Sequence, residues 1–156
     1  MQIISKSSKD TLYIGKRISR LLKEGDIVCL FGNLGSGKTV LTKGIAWGLG
    51  IKKENVVSPS FVLIRQYNKV KPALYHFDLY RLKDPKEIID LGYEEYFYNG
   101  AVAIIEWADR LGFLLPKEYL RVELSLRKDF GRLIKFKAYG GRYERLLEKI
   151  NEALRH

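Results

Sequence analysis

Residues 32–39 constrain the fold of this chain more than any other segment. They read Gly-Asn-Leu-Gly-Ser-Gly-Lys-Thr and match the phosphate-binding pattern G-x-x-x-x-G-K-[ST] at every fixed position. The continuous apolar run Ile27–Phe31 precedes them and predicts a buried parallel strand, and a helix is predicted over residues 38–49. A chance match is improbable in this strand–loop–helix context, so the sequence predicts a nucleoside triphosphate site.

The residue types of this loop suit phosphate binding. Its glycines allow backbone N–H groups to turn inward around phosphate oxygens, where a Cβ atom would obstruct the approach. The N-terminus of the following helix adds a partial positive charge. We expect Lys38 to reach the β- and γ-phosphates and the Thr39 hydroxyl to bind Mg²⁺.

Two carboxylates are candidates for the rest of the site. Glu106 follows residues 101–105, an apolar run comparable to Ile27–Phe31, and is predicted to be the second magnesium ligand. Asp78 ends another predicted strand and is positioned to orient or deprotonate an attacking water. Two alternatives stay open: Glu106 as a surface glutamate, and Asp78 as a helix cap or a partner of Arg81.

The sequence favours adenine over guanine as the base. GTPases usually read guanine with Asn-Lys-x-Asp, and the nearest string, residues 68–71, reads Asn-Lys-Val-Lys and lies too early in the chain. The expected cofactors are therefore ATP and Mg²⁺.

Helical and strand patterns alternate along the chain. They predict one α/β domain over residues 1–156, a P-loop NTPase-like layered domain with a mostly parallel central sheet plus an antiparallel portion late in the chain. The first helix is predicted to have Asp10 as its N-cap and to bury Ile14, Ile18, Leu21 and Leu22. Further strands are predicted at residues 61–67, 73–77, 119–126 and 133–139, a helix at Asp84-Pro85, and a final helix with Tyr143, Leu146, Leu147, Ile150 and Leu154 on one face.

Composition excludes several classes of protein. One cysteine, Cys29, and two histidines exclude a disulfide framework and a multi-cysteine or histidine-rich metal centre. No apolar stretch approaches the roughly 18 residues that span a bilayer, and no signal peptide is visible. The expectation is a cytoplasmic protein with no membrane contact.

Several motifs together resemble the TsaE (YjeE) family, small bacterial ATPases needed to make threonylcarbamoyladenosine in tRNA. They are the phosphate loop in the form Gly-x-Leu-Gly-x-Gly-Lys-Thr, Ser58-Pro59-Ser60-Phe61-Val62-Leu63, His76-Phe77-Asp78-Leu79-Tyr80-Arg81-Leu82 and Ile105-Glu106-Trp107. The resemblance covers residues 8–132, and the combination of motifs is far more specific than the loop alone.

The resemblance implies a role for each matching residue. Lys38, Asp78 and Glu106 are the implied catalytic residues, and Thr39 and Glu106 the implied magnesium ligands. Residues 58–60 are similar to a switch-like loop that senses the γ-phosphate, and the turn at Gly131-Arg132 is placed near the nucleotide base. The implied nucleotide-binding residues are Thr11, Gly35, Ser36, Gly37, Lys38, Thr39, Val40 and Gly131. Val40 stands where the family often has a second threonine, so its contact must come from the backbone.

The resemblance also implies partners. Such a protein is the ATPase partner of the TsaB–TsaD pair, in which TsaD transfers the threonylcarbamoyl group; ATP binding favours the assembly and hydrolysis resets it. Two other functions remain alternatives: a small-molecule P-loop kinase, for which no lid-like insert is evident, and a non-catalytic nucleotide-binding adaptor.

Charge points to a further, less defined partner. Lys and Arg number 28 against 18 Asp and Glu, a net charge of +10, and +5 of it falls in residues 117–145. This segment is either a solvated basic face or a surface for tRNA or an acidic partner.

Overall fold

The computed structural model describes residues 1–59 and 63–155, in which strands and helices alternate. The strands are β1 Gln2–Ser5, β2 Ile27–Phe31, β3 Ile64–Tyr67, β4 Leu74–Asp78, β5 Val102–Glu106, β6 Tyr119–Leu126 and β7 Arg132–Tyr139. The helices are α1 Ser8–Ser19, α2 Lys38–Gly48, α3 Lys86–Asp90, α4 Tyr93–Phe97 and α5 Gly141–Arg155, with short 3-10 helices at Lys53–Asn55 and Ala108–Leu114.

The strands form one sheet in the order β1-β7-β6-β2-β5-β4-β3. The four central strands, β6, β2, β5 and β4, are parallel to one another. Antiparallel strands flank them on both sides, β3 next to β4, and β7 and β1 beyond β6. This arrangement confirms the predicted fold class, although the antiparallel portion is not confined to the end of the chain. The sequence does not predict β1, a four-residue edge strand that is fixed by its pairing with β7.

The core lies on both faces of the sheet. All residues of β2 and β5 are buried, as their continuous apolar runs predict. One face packs against α1, α2 and α5, and the other packs against α3, α4 and the 3-10 helix Ala108–Leu114. The two strands that lead into the candidate site are thus held rigidly from both sides.

The predicted N-cap of α1 is wrong. Ser7 caps the helix, because its hydroxyl accepts a hydrogen bond from the Asp10 amide at 3.1 Å. Asp10 instead accepts a hydrogen bond from the Lys6 amide at 2.9 Å, so the two side chains satisfy backbone donors reciprocally. The helix ends at Ser19, and Leu22 is buried from the turn that follows.

Other boundaries differ from prediction by one to three residues. Pro85 precedes the helix as its N-cap and does not occupy its first position. The strand predicted over residues 61–67 begins at Ile64, after Leu63 with a φ of 64°. Phe61 and Val62 lie outside the described residues, as do Ser60 and His156.

Close packing between α1 and α2 fixes the helix that follows the phosphate loop. A Cβ atom at Gly44 would lie 2.1 Å from the Leu12 carbonyl oxygen, and one at Gly15 would lie 2.5 Å from the Leu41 carbonyl oxygen. Only glycine permits this approach, which holds α2 and therefore the loop against the rest of the domain. In the described part of the chain, no helix has the length and apolar character needed to cross a membrane.

Candidate functional site

The phosphate loop connects β2 to α2, as predicted. Gly32, Gly35 and Gly37 have φ values of 145°, 79° and 104°, which side-chain-bearing residues rarely adopt. A Cβ atom at Gly37 would also lie 2.8 Å from the Arg132 Nε atom. The glycines therefore allow the backbone to turn, and Gly37 also allows β7 to approach the loop closely.

The Lys38 ammonium group lies against the loop. Its Nζ atom donates to the Gly32 carbonyl at 2.6 Å and to the Asn33 carbonyl at 3.0 Å. The same atom lies 4.0 Å from the centroid of the Trp107 ring. Burial lowers the pKa of Lys38, and the carboxylate of Glu106 is the strongest opposing influence. A cation is thus held at the loop, where phosphate oxygens would replace its carbonyl partners.

The two predicted magnesium ligands lie together. The Thr39 hydroxyl donates to Glu106 Oε2 at 2.9 Å, and the Thr42 hydroxyl donates to Glu106 Oε1 at 3.1 Å. Glu106 is only 1% exposed, so it is not a surface glutamate. Parallel pairing of β2 and β5 brings their carboxyl ends to the same edge of the sheet, which sets Glu106 beside the loop.

His76 is a third partner of Glu106. Its Nε2 atom lies 2.8 Å from Glu106 Oε1, and the imidazole is fully buried. Its Nδ1 atom has no hydrogen-bond partner among the described residues. No pattern in the sequence predicts this contact; the only signal is the place of His76 on a strand two residues before Asp78.

The donor set fits magnesium that is shared with a nucleotide. Mg²⁺ takes oxygen ligands, and it is commonly held by one or two protein groups together with waters and substrate phosphates. Thr39 and Glu106 supply a hydroxyl and a carboxylate. Among residues 1–59 and 63–155, no group of three or more His, Cys, Asp or Glu side chains converges as a metal site of its own.

Asp78 lies at the end of β4, opposite Glu106 in the register of the parallel pair. It is 4% exposed, and its Oδ1 atom accepts a hydrogen bond from the Tyr80 amide at 3.0 Å. Ser58 donates a short hydrogen bond to Asp78 Oδ2. Ser58 belongs to the predicted switch segment, so that segment contacts the candidate catalytic carboxylate; Ser60, its last residue, is outside the described residues.

Most of the predicted site residues line one cavity of about 280 Å³. Predicted residues that line it are Gly35, Gly37, Lys38, Thr39, Val40, Asp78 and Glu106. Ser58 and Arg132, which the family resemblance places near the nucleotide, also line it. Tyr80 and Trp107 line it as well, and the sequence does not predict them as nucleotide ligands. Ser36 is buried within the loop and lines an adjoining cavity.

Thr11 and Gly131 lie together but away from the lining of this cavity. The Thr11 hydroxyl is buried, 2.6 Å from the Ser5 hydroxyl, and a Cβ atom at Gly131 would lie 2.9 Å from the Ser5 carbonyl oxygen. Their contact with a nucleotide stays a prediction. Arg132, the residue after Gly131, does reach the cavity, and its buried Nε atom has no hydrogen-bond partner among the described residues.

Comparison with known proteins identifies relatives of this chain. A sequence model of the family described as "Threonylcarbamoyl adenosine biosynthesis protein TsaE" matches residues 5–134. The chain is 43% identical over 143 residues to the tRNA threonylcarbamoyladenosine biosynthesis protein TsaE of Bacillus subtilis, covering 92% of this chain and 89% of the relative. The protein of the same description from Treponema pallidum is 40% identical over 134 residues, covering 86% and 98%. The crystal structure of Bacillus subtilis YdiB superposes with a TM-score of 0.85 at 36% identity, covering 97% of this chain and 94% of that one.

Proposed function

The chain belongs to the TsaE family of tRNA threonylcarbamoyladenosine biosynthesis, and from that premise we propose that it is the Mg²⁺-dependent ATPase subunit of this pathway. One observation carries the proposal. The Thr39 hydroxyl and the Glu106 carboxylate, 2.9 Å apart, lie beside a lysine-bearing phosphate loop. A nucleotide and its magnesium ion need this combination of groups.

Each group of the cavity has a part in binding. The loop amides and Lys38 hold the phosphates, and the positive φ angles of the glycines direct those amides inward. Thr39 and Glu106 hold Mg²⁺, which neutralises charge on the phosphate oxygens when it is bound. Thr42 and His76 keep Glu106 Oε1 occupied, which leaves Oε2, the Thr39 partner, available to a magnesium ion.

Asp78 is the residue proposed to act on the attacking water. Its carboxylate lines the cavity opposite the loop and is oriented by the Tyr80 amide and the Ser58 hydroxyl. A carboxylate at this place can accept the proton of a water and align it for attack on the γ-phosphate. Movement of Ser58 when the γ-phosphate is lost would then release Asp78, which couples hydrolysis to the switch segment.

The proposed partners are TsaB and TsaD, with TsaD as the transferase. ATP binding favours the three-protein assembly, and hydrolysis resets it between rounds of tRNA modification. We expect slow hydrolysis by the isolated subunit and a cytoplasmic location, where the tRNA substrate occurs.

Reconstitution tests this function. ATP hydrolysis and tRNA modification are measured with the chain alone, with TsaB and TsaD, and with TsaB, TsaD and tRNA. We expect modification to require this chain and ATP hydrolysis to rise with the partners present. Modification that proceeds equally well without the chain would refute the proposal. Stoichiometric phosphorylation of a small acceptor would instead establish the kinase alternative.

A further inference from the structure

One face of the sheet is covered along only part of its width. The 3-10 helix Ala108–Leu114 and helices α3 and α4 pack over β2, β4 and β5. The same face of β6, β7 and β1 carries an open cavity of about 830 Å³. We call this area the basic face; its charged side chains are Arg121, Glu123, Lys135 and Lys137.

The basic face carries unbalanced positive charge. Its three cations and one carboxylate give a net charge of +2. Glu123 is already bound to Arg121, with 2.5 Å between Oε1 and Nη2. Lys135 and Lys137 are exposed, and neither lies within ion-pair distance of a carboxylate among the described residues. The face therefore has two cations available to an anionic partner.

Strand register concentrates this charge. Arg121 of β6 stands directly opposite Lys137 of β7. Like charges that face each other across two strands destabilise a sheet. An anion bound between Arg121 and Lys137 would therefore reduce their electrostatic repulsion. Glu123 stands opposite Lys135 in the same ladder but is directed to Arg121.

Aromatic rings contact two of the three cations, Arg121 and Lys137. The Arg121 guanidinium lies 3.7 Å from the centroid of the Phe31 ring. The Tyr119 and Tyr139 rings are stacked with centroids 4.8 Å apart, and Lys137 Nζ lies 5.0 Å from the Tyr139 ring. Pre-ordered cations lose less conformational entropy when they bind a ligand, which favours a specific binding surface over a merely solvated one.

The basic face adjoins the phosphate loop. Glu123 and Lys135 also line a second cavity of about 550 Å³ that extends to Asn33 and Leu34 of the loop. A ligand that spans both cavities would contact the face and the loop together. The basic face and the phosphate loop therefore border one continuous stretch of surface.

From these contacts we propose that the basic face binds the phosphate backbone of RNA, a step that rests on the proposed function in tRNA modification. Lysine and arginine contacts to phosphates provide position and affinity without reading the sequence. An acidic protein is the less suitable occupant, because the centres of protein interfaces are depleted of charged residues, whereas four charged side chains line this one cavity.

Binding of a tRNA transcript to the isolated full chain, measured by fluorescence anisotropy between 50 and 200 mM KCl, tests the proposal. The variant is Lys135→Gln with Lys137→Gln. The matched control is Arg145→Gln with Lys149→Gln, which removes the same charge from exposed positions on α5, on the other side of the sheet. We expect the affinity of the face variant for tRNA to fall roughly tenfold or more. The slope of log K against log salt should become less negative by about 1.8, because two phosphate contacts are lost. The α5 variant should retain the slope of the unmodified chain.

Two outcomes would overturn the proposal. One is an equal affinity and salt slope for the face variant and the α5 variant. The other is that polyglutamate of matched charge binds the unmodified chain as tightly as tRNA does and that its affinity falls equally in the face variant. That result would assign the face to acidic proteins. ATP hydrolysis with TsaB and TsaD is measured in parallel, so that failure of the ATPase proposal and failure of RNA binding are seen separately.

Discussion

The imidazole of His76 contacts the carboxylate of Glu106, with 2.8 Å between Nε2 and Oε1, and both side chains are buried. Glu106 is the proposed magnesium ligand, so His76 would act on the metal only through Glu106. Mutation of a group that orients a metal ligand typically reduces metal affinity by about 10- to 100-fold.

Replacing His76 should weaken magnesium-dependent ATP binding selectively. In His76→Gln, the orientation of Glu106 is lost, and we expect Mg·ATP affinity to fall by about tenfold. ATP affinity in EDTA should be retained, because the loop amides and Lys38 are intact. The measurement is isothermal titration with and without Mg²⁺. Equal losses in both conditions would show a general structural defect and contradict the positioning role. Tyr75→Phe, a change on the other face of the same strand, is the control.

Replacing Glu106 should abolish the gain in ATP affinity that Mg²⁺ provides. Glu106→Gln keeps the shape of the side chain and removes its charge, so Mg²⁺ loses a carboxylate ligand. We expect the variant to bind ATP equally in Mg²⁺ and in EDTA. Tight binding that still depends on Mg²⁺ would remove Glu106 from the metal site.

Replacing Asp78 should separate hydrolysis from binding. Asp78→Asn cannot accept the proton of the attacking water, and general-base catalysis contributes about 10²- to 10⁴-fold to a rate. We expect a loss of that size in ATP turnover with TsaB and TsaD, with ATP affinity retained. Unchanged turnover would show that Asp78 is not the group that acts on the attacking water.

Replacing Arg132 should weaken nucleotide binding. Its Nε atom is buried beside Gly37 without a hydrogen-bond partner among the described residues, and an anionic ligand can supply one. Arg132→Ala is expected to lose roughly tenfold or more in ATP affinity. Arg127→Ala is the matched control, because Arg127 lies on the same hairpin but binds Asp129, with 3.1 Å between Nε and Oδ1. Equal effects of the two changes would contradict a direct role for Arg132.

Replacing Gly44 should destabilise the domain. A Cβ atom there would lie 2.1 Å from the Leu12 carbonyl oxygen, so α1 and α2 must separate. We expect Gly44→Ala to reduce the free energy of unfolding by about 1–3 kcal/mol, measured by urea denaturation. At Gly141, an added Cβ atom would meet only a flexible arginine tip at 3.6 Å, so Gly141→Ala should cause no such loss.

The local parts of the site follow directly from the sequence. The phosphate loop is set by glycines that reach positive φ between an apolar strand and a helix, and each of these features is encoded within neighbouring residues. Glu106 and Asp78 are predictable for the same reason, since each ends a strand that its own composition reveals.

Tertiary structure decided which of these parts meet. Thr39 and Glu106 are 67 residues apart in the chain, and they touch because β2 lies next to β5. The His76 contact depends on β4 pairing with β5, and Arg132 reaches the loop only because β7 folds back along β6. Local sequence patterns report which side chains face a core, but they do not report strand order, since order is fixed by the packing of distant segments into one sheet.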